Sequence, residues 1–382
     1  LAAALAPGAD GAGGVGGADD AFDRFIVDFA LDYAPGSEEY ARRRDIFQGR
    51  LAAILAHNRD VSMTWTLGVN GFAGLAPAEL AGLFGRSKAQ ASVAAGVAGA
   101  PGTAGPPLLE ALGRPLPDRV DWREAGVVTE VRFQGLCGSC WAFATAETVE
   151  SHAALASGSL PLLSPQQLVS CAPNPRQCGG PGGCLGSTVE VAYDYIQQAG
   201  MAAESAYPYR GWRGGACKWN ATAGEPRVRI AGYRKLPPND YAAVMDALAH
   251  VGPLAVNVEA SSFGFLFYRS GVFDGCGAGG RVDINHVMQM VGYGTDPTGG
   301  NYWLVRNMWT VRWGESGYIR MRRSARPACY EDRTPLHGTG CPGGDKVQTV
   351  CGTCGILFDA SHPLGAAVAR GAAGGGSPDV VV

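Results

Sequence analysis

Eleven cysteines in a chain of 382 residues constrain this sequence more than any other feature. A protein kept in a reducing compartment does not accumulate thiols at that density, whereas one folded in an oxidising compartment pairs them, and an odd total leaves one over. The expectation is a protein of an oxidising, secretory-pathway compartment, stapled by disulfides and carrying one free thiol. Cys140 is the candidate for that thiol. The loop-forming residues Gln134 to Ser139 run into an apolar, helix-compatible stretch, Trp141 to Ala156, that stops at Gly158, so Cys140 opens a helix. Unpaired N–H groups and the positive end of the helix dipole favour a thiolate there, which predicts an activated nucleophile. Cys137–Gly138–Ser139–Cys140 also has the form of a redox CxxC, but no βαβ strand pattern precedes it.

The net charge of −3 and the lack of any Lys/Arg run give no field for nucleic acid or an anionic membrane surface, so neither is an expected partner. No apolar stretch reaches the length of a membrane span. The chain starts at Leu1, and Leu1–Ala6 is too short for a signal peptide, so the true N-terminus is expected to lie further upstream. Asn220–Ala221–Thr222 is a glycosylation acceptor compatible with the secretory reading.

Fifty-seven glycines are too many for one compact body. Residues 1–20 are Gly/Ala-rich and expected to be disordered, as is the tail 366–382. From Phe22 to Arg59 the apolar residues recur at helical steps, with Pro35–Gly36 dividing two helices. Residues 85–115 collapse into Ala, Gly, Pro and Ser, the composition of an accessible linker. Ser164–Pro165–Gln166–Gln167 and Ser187–Thr188–Val189–Glu190 carry helix-start signals, the second ahead of a helix stopped by Gly200. Beyond about residue 225, Leu254–Val258, Val287–Gly292, Tyr302–Arg306 and Gly317–Arg322 read as short strands.

Several of these stretches carry a resemblance. Glu39, Arg43, Phe47, Ile54 and Asn58 sit at the spacing of the signature in the pro-region of papain-like cysteine proteases of the cathepsin L type, with Arg50 at the one unmatched position. Leu67–Gly68–Val69–Asn70–Gly71–Phe72–Ala73 resembles the second pro-region motif, with Gly74 in place of an acidic residue, a change expected to alter pH-triggered release. Leu116–Pro117–Asp118–Arg119–Val120–Asp121–Trp122 resembles the mature N-terminus. Gln134–Gly135–Leu136–Cys137–Gly138–Ser139–Cys140–Trp141, Asn285–His286, Asn307–Met308–Trp309 and Trp313–Gly314–Glu315–Ser316–Gly317–Tyr318 resemble the active-site motifs, although Met308, Thr310 and Val287 depart from the usual flanking residues.

The resemblance implies an α+β papain-like fold of two domains behind a helical propeptide. Residues 21–84 would form the inhibitory pro-region, 85–115 the linker with the activation cleavage, and 116–365 the catalytic domain, helical to about 224 and β-rich beyond. It implies a cysteine endopeptidase zymogen. Cys140 would attack the peptide carbonyl as a thiolate paired with imidazolium His286, with a pKa lowered to about 3.5–7.5. Asn307 would orient His286, Trp309 would shield that bond, and Gln134 with the Cys140 N–H would form the oxyanion hole. Gly186, Ser187, Ile284, Asn285 and Asp359 would contact substrate, Ser187 where a second glycine normally pairs with the P2 residue and Asp359 at the floor of the P2 pocket, where a carboxylate would accept Arg alongside Leu or Phe.

Also by resemblance, Cys137 pairs with Cys184, Cys171 with Cys217 and Cys276 with Cys354. Cys178, Cys329, Cys341 and Cys351 have no family assignment; two more disulfides would pair them, and a small zinc knot of Cys329, Cys341, Cys351 and Cys354 is the alternative. The expected partners are peptide and protein substrates, the chain's own pro-region and cystatin-type inhibitors, acting on a monomer without metal or cofactor. The alternative is a catalytically silent papain-fold binding or storage protein.

Overall fold

The computed structural model describes residues 18–84, 114–219 and 227–369. Most of the linker with its cleavage site, the acceptor Asn220 and the two termini lie outside the described residues. No described helix is long and apolar enough to cross a membrane.

The amino-terminal unit is built on helices α1 (Ala18–Asp28) and α2 (Glu38–Asn58). Helix α1 already begins at Ala18, inside the stretch expected to be disordered, and the break between the helices opens at Asp28, well before Pro35–Gly36. Ser37 caps α2, its Oγ accepting from the Tyr40 N–H at 3.1 Å. One face of α2 buries Arg43, Phe47 and Ile54. Phe47 stacks on Phe25 and meets Phe22 at a tilt, both of α1. Buried Arg43 is held by Glu39 and Glu79 and donates to the Gly74 carbonyl at 3.0 Å. Asn58 at the end of α2 then brackets Leu67, its amide accepting from the Leu67 N–H and donating to its carbonyl, both at 2.9 Å. That clamp fixes strand β1 (Trp65–Leu67), and helix α3 (Pro77–Leu80) leads the chain onward.

The main body starts with β2 (Val120–Asp121), followed by three helices, α4 (Cys140–Ser157), α5 (Pro165–Cys171) and α6 (Val189–Ala199). Helix α4 is buried on every side from Cys140 to Ala154 and ends at Gly158, whose φ of 71° a glycine adopts without penalty. Such a helix must be the centre of its half: Thr145, Thr148 and Ser151 bond carbonyls one turn back, Glu150 accepts from Arg132, and Glu147 is paired with Arg306 by charge without a hydrogen bond. Ser164 caps α5 through the Gln167 N–H. The second start signal works differently, since Thr188 is the cap of α6, makes no side-chain bond there, and Glu190 turns to Lys235 instead.

The second half supplies β3 (Val228–Arg229), β4 (Gly232–Lys235), α7 (Tyr241–His250), β5 (Leu254–Val258), α8 (Phe263–Leu266), β6 (Tyr268–Phe273), β7 (His286–Asp296), β8 (Gly300–Arg306), β9 (Tyr318–Arg322), β10 (Cys329–Asp332), β11 (Gln348–Cys351), β12 (Ala360–Leu364) and β13 (Ala367–Val368). The main sheet runs β1-β6-β9-β8-β7-β5-β12-β4, with β2 also on β7. Its first strand belongs to the amino-terminal unit, so that unit is joined to the body by β1–β6 pairing. Strand β13 pairs with β3, so the start of the supposedly loose tail is ordered. One apolar core joins the β-rich half to the amino-terminal unit through Phe72, Phe84, Trp309 and Trp313, and a second surrounds α4. The architecture is α+β, a helical half and a β-rich half whose facing edges carry Cys140 and His286.

Candidate active site

Cys140 sits at the first turn of α4 and His286 at the first residue of β7, so the seam between the two halves brings them together. Every cysteine lies among the described residues, and Cys140 alone is unpaired. The disulfides join Cys137 to Cys184, Cys171 to Cys217, Cys178 to Cys341, Cys276 to Cys354 and Cys329 to Cys351. The last four unassigned cysteines are therefore consumed without a zinc knot. The Cys137–Cys184 bridge fixes the loop that delivers Cys140, and the Gly138 N–H donates to the Cys184 carbonyl at 2.9 Å.

The His286 ring is held from one side. Its Nε2 lies 2.8 Å from Asn307 Oδ1, which also accepts from the Met308 N–H, so the oxygen assignment is fixed and Nε2 is the donor. Trp309 covers that pair at 4.9 Å between ring centroids. Nδ1 is buried without a hydrogen-bond partner, a free lone pair facing the seam. Gln134 is buried, and its Nε2 donates to the Cys137 carbonyl at 2.7 Å and to the Leu83 carbonyl at 2.8 Å. A carbonyl from the amino-terminal unit thus occupies a donor aimed at the seam.

Leu83 and Phe84 act as the plug. Phe84 stands edge-on to both His286 and Trp309, and Phe72 meets Trp309 at 5.3 Å. Exclusion of water has an electrostatic result. Burial pushes the Cys140 thiol up to about 11 although backbone groups of Val287, Trp141 and Cys140 itself pull the other way. Burial pushes His286 down to about 4 against its bond to Asn307. Burial thus works against the charged form of both groups in this covered state. The thiolate–imidazolium pair expected from the sequence is opposed here by desolvation, against which the Cys140 backbone surroundings and Asn307 pull.

The other residues singled out in the sequence are distributed as follows. Gly186, at φ 95°, packs so tightly that a Cβ would lie 2.7 Å from the Gly179 carbonyl and 3.9 Å from that of Phe84. Ser187 does not have a positive φ, so its backbone does not require glycine, and its Oγ meets Asn174 Nδ2 at 3.1 Å. Ile284 is fully buried. The Asn285 side chain donates to Ser261 and the Asp283 carbonyl and accepts from the Ala260 N–H, which fixes its orientation.

Asp359 needs a correction. It is 2% exposed, and Lys235 Nζ lies 3.0 Å away while also contacting Glu190. Burial, with Glu190 adding to it, raises Asp359 to about 6 against the pull of Lys235. Burial disfavours the Lys235 charge, but Asp359 and Glu190 outweigh that and hold it protonated. A carboxylate already paired with a cation is not free to attract a basic P2 side chain. Lys235 and the plug residues Leu83 and Phe84 carried no sequence signal, since each matters only through a partner distant in the chain.

Comparison with known proteins agrees with this geometry. Residues 116–338 match the papain family cysteine protease domain, and residues 22–80 match the cathepsin propeptide inhibitor domain. The chain is 34% identical to the thiol protease SEN102 of Hemerocallis sp., over 86% of this chain and 81% of that protein. It is 36% identical to mouse cathepsin S (Mus musculus), over 78% and 84%. Among solved structures it resembles the recombinant stem bromelain precursor (TM-score 0.71, 30% identity, covering 91% of this chain and 99% of that one) and digestive procathepsin L 3 of Tenebrio molitor larval midgut (0.69, 31%, 91% and 99%).

Proposed function

We propose, from the premise that this chain belongs to the papain family of cysteine proteases and carries its own propeptide inhibitor domain, that it is a zymogen whose Cys140 and His286 hydrolyse peptide bonds once the amino-terminal unit leaves. Its relatives include proteins named as cysteine endopeptidases, and the chain is a cysteine protease of the same family. The observation that carries the site assignment is the Leu83 carbonyl on Gln134 Nε2, beside a covered Cys140. It mimics a substrate carbonyl at the oxyanion position.

In the uncovered enzyme, His286 Nδ1 takes the Cys140 proton, and Asn307 on Nε2 holds the ring in the tautomer that leaves Nδ1 free to do so. The thiolate adds to the scissile carbonyl, whose oxygen is stabilised by Gln134 Nε2 and the Cys140 N–H. Collapse of the adduct expels the amine, protonated by His286, and leaves a thioester on Cys140. Water, deprotonated by His286, hydrolyses the thioester. Residues 21–84 serve as the inhibitor, released by cleavage within 85–115, and an oxidising compartment of the secretory pathway suits a protein with five disulfides.

Alkylation of Cys140 by iodoacetamide as a function of pH tests this reading. The processed enzyme should show a reactive step with a pKa in the range of about 3.5–7.5, whereas the intact zymogen should react slowly until the pH nears 11. Identical profiles for the two forms, or a Cys140→Ala protein that still cleaves peptides, would refute it.

A further inference from the structure

The segment after β10 crosses the cleft. On the His286 side it is tied to the wall that leads into β7: the Val282 N–H donates to the Glu331 carbonyl at 3.1 Å, the Arg333 N–H donates to Asp283 Oδ1 at 3.2 Å, and a Cβ on Gly338 would lie 2.4 Å from the Ile284 carbonyl. A few residues later it is tied to the opposite wall. The Gly179 N–H donates to the Gly340 carbonyl at 2.8 Å, and Cys178 is bonded to Cys341. Gly179 is wedged between the two, its Cβ position 2.6 Å from the Gly338 carbonyl and 2.9 Å from Ser187. The strap is stiffened from behind by buried Asp332, which accepts from the Thr334 N–H and from Gln348, while Gln348 also holds Thr339.

The end of the cleft that the strap closes follows from the chemistry. The amine leaves with the His286 proton, so the leaving side lies beyond His286 toward Trp309, where Phe72 also stands. The acyl side lies in the other direction. The pro-segment traces this axis, with Leu83 on Gln134 and the Phe84 carbonyl next to Gly186. Gly186 touches Gly179, and Gly179 touches Gly338. Between Cys140 and the strap, the acyl side is therefore only a short bay, floored by Gly186 and Ser187 and ended by Gly338.

We propose that the strap Arg333–Cys341, closed by the Cys178–Cys341 disulfide, limits how many residues a substrate places on the amino-terminal side of the scissile bond. The enzyme then cuts close to free amino termini much faster than in the interior of long chains, releasing short N-terminal peptides. This rests on the Cys140–His286 reading above. A long acyl-side chain has to displace backbone contacts made to both walls at once, whereas a short one fits the bay and loses nothing.

The test is a series of fluorogenic peptides with one to six acyl-side residues, each with a free and a blocked amino terminus, given to wild-type enzyme processed from the full chain and to the Cys178→Ser/Cys341→Ser double variant. Active sites are counted by iodoacetamide titration of Cys140. In the wild type, kcat/KM should fall by at least about tenfold, a difference of about 1.4 kcal/mol, once the bay is filled. The double variant should recover most of the loss on long peptides and keep the wild-type rate on short ones. A flat wild-type profile overturns the proposal without reference to any variant, and so does a fall that the double variant leaves unchanged. Failure to titrate Cys140 together with no cleavage of any peptide refutes instead the catalytic reading beneath it.

Discussion

Strand β1 anchors the inhibitory unit, and Trp65 is the residue to remove. Its ring is 7% exposed, packs on Phe273 at 4.7 Å and on His57 at 4.1 Å, and its Nε1 donates to Asp274 at 3.0 Å. The surface beneath is shaped for it, since a Cβ on Gly264 or Gly275 would come within 2.8 Å of the indole. Truncating a buried Trp to Ala costs about 3–5 kcal/mol. The body and the unit meet here across an interface that can partly collapse, so about 3 kcal/mol is the figure to carry, which is about a hundredfold in the closed-to-open ratio. At pH 7 labelling goes through the open form, since burial raises the covered thiol, so the rate of iodoacetamide labelling of intact zymogen at that pH reads the open fraction. Trp65→Ala should label about a hundredfold faster than wild type. Trp65→Phe, which keeps a ring but loses the bond to Asp274, should label only about fivefold faster, the value of one hydrogen bond near 1 kcal/mol. If Trp65→Ala labels within about threefold of wild type, β1 docking does not hold the plug.

Two further outcomes are expected. His152 is buried in α4, its Nε2 on the Pro253 carbonyl and its ring stacked on His362, and burial lowers it to about 4. The unfolded chain binds this proton near pH 6.5 and the folded chain only near 4, so stability is complete above about 6.5 and declines as pH falls toward 4, by up to about 3 kcal/mol; His152→Gln should flatten the urea midpoint over that window by about one proton, and an unchanged slope would assign the acid sensitivity elsewhere. Lys235→Met removes the cation held by Asp359 and Glu190, so the kcat/KM ratio for P2 Arg over P2 Phe should rise by about tenfold with a lower Tm, whereas an unchanged ratio would mean that Asp359 does not face the substrate.

Local signals were readable in the sequence where the chemistry is local. The run from Cys140 to Gly158 announces a helix because it is rich in alanine, free of proline and internal glycine, and ends at a glycine that can turn left-handed. The face of Arg43, Phe47 and Ile54 announces a packed helix because its positions recur at helical steps. What stayed hidden depends on pairs far apart in the chain. Asp359 reads as an open carboxylate until Lys235, on a different strand, is folded against it. The cysteines past residue 325 read as a cluster of their own, and only the fold reveals that Cys341 crosses to Cys178 on the other half. The start signal Ser187–Thr188–Val189–Glu190 is resolved only in the fold, where the Ser187 hydroxyl is taken by Asn174, Thr188 is the cap and α6 already begins at Val189.

The plug closes the cleft and also switches off the chemistry, and the two effects share one cause. Forming the ion pair transfers a proton from a thiol that burial raises to an imidazole that burial lowers, so under the plug desolvation of both groups opposes the transfer. Uncovering the site readmits water, which relieves that desolvation and moves both groups toward their ordinary values of about 8.5 and 6.5. Attraction between the charges and the positive end of α4 then favour the ion pair. Leu83 and Phe84 therefore need not touch the sulfur to silence it. A zymogen in which Phe84→Ala lets water reach His286 while Leu83 still fills the oxyanion position should show Cys140 reacting with iodoacetamide well below pH 11 before any propeptide is released, and a profile identical to wild type would mean that exclusion of the reagent, not desolvation of the pair, keeps the enzyme latent.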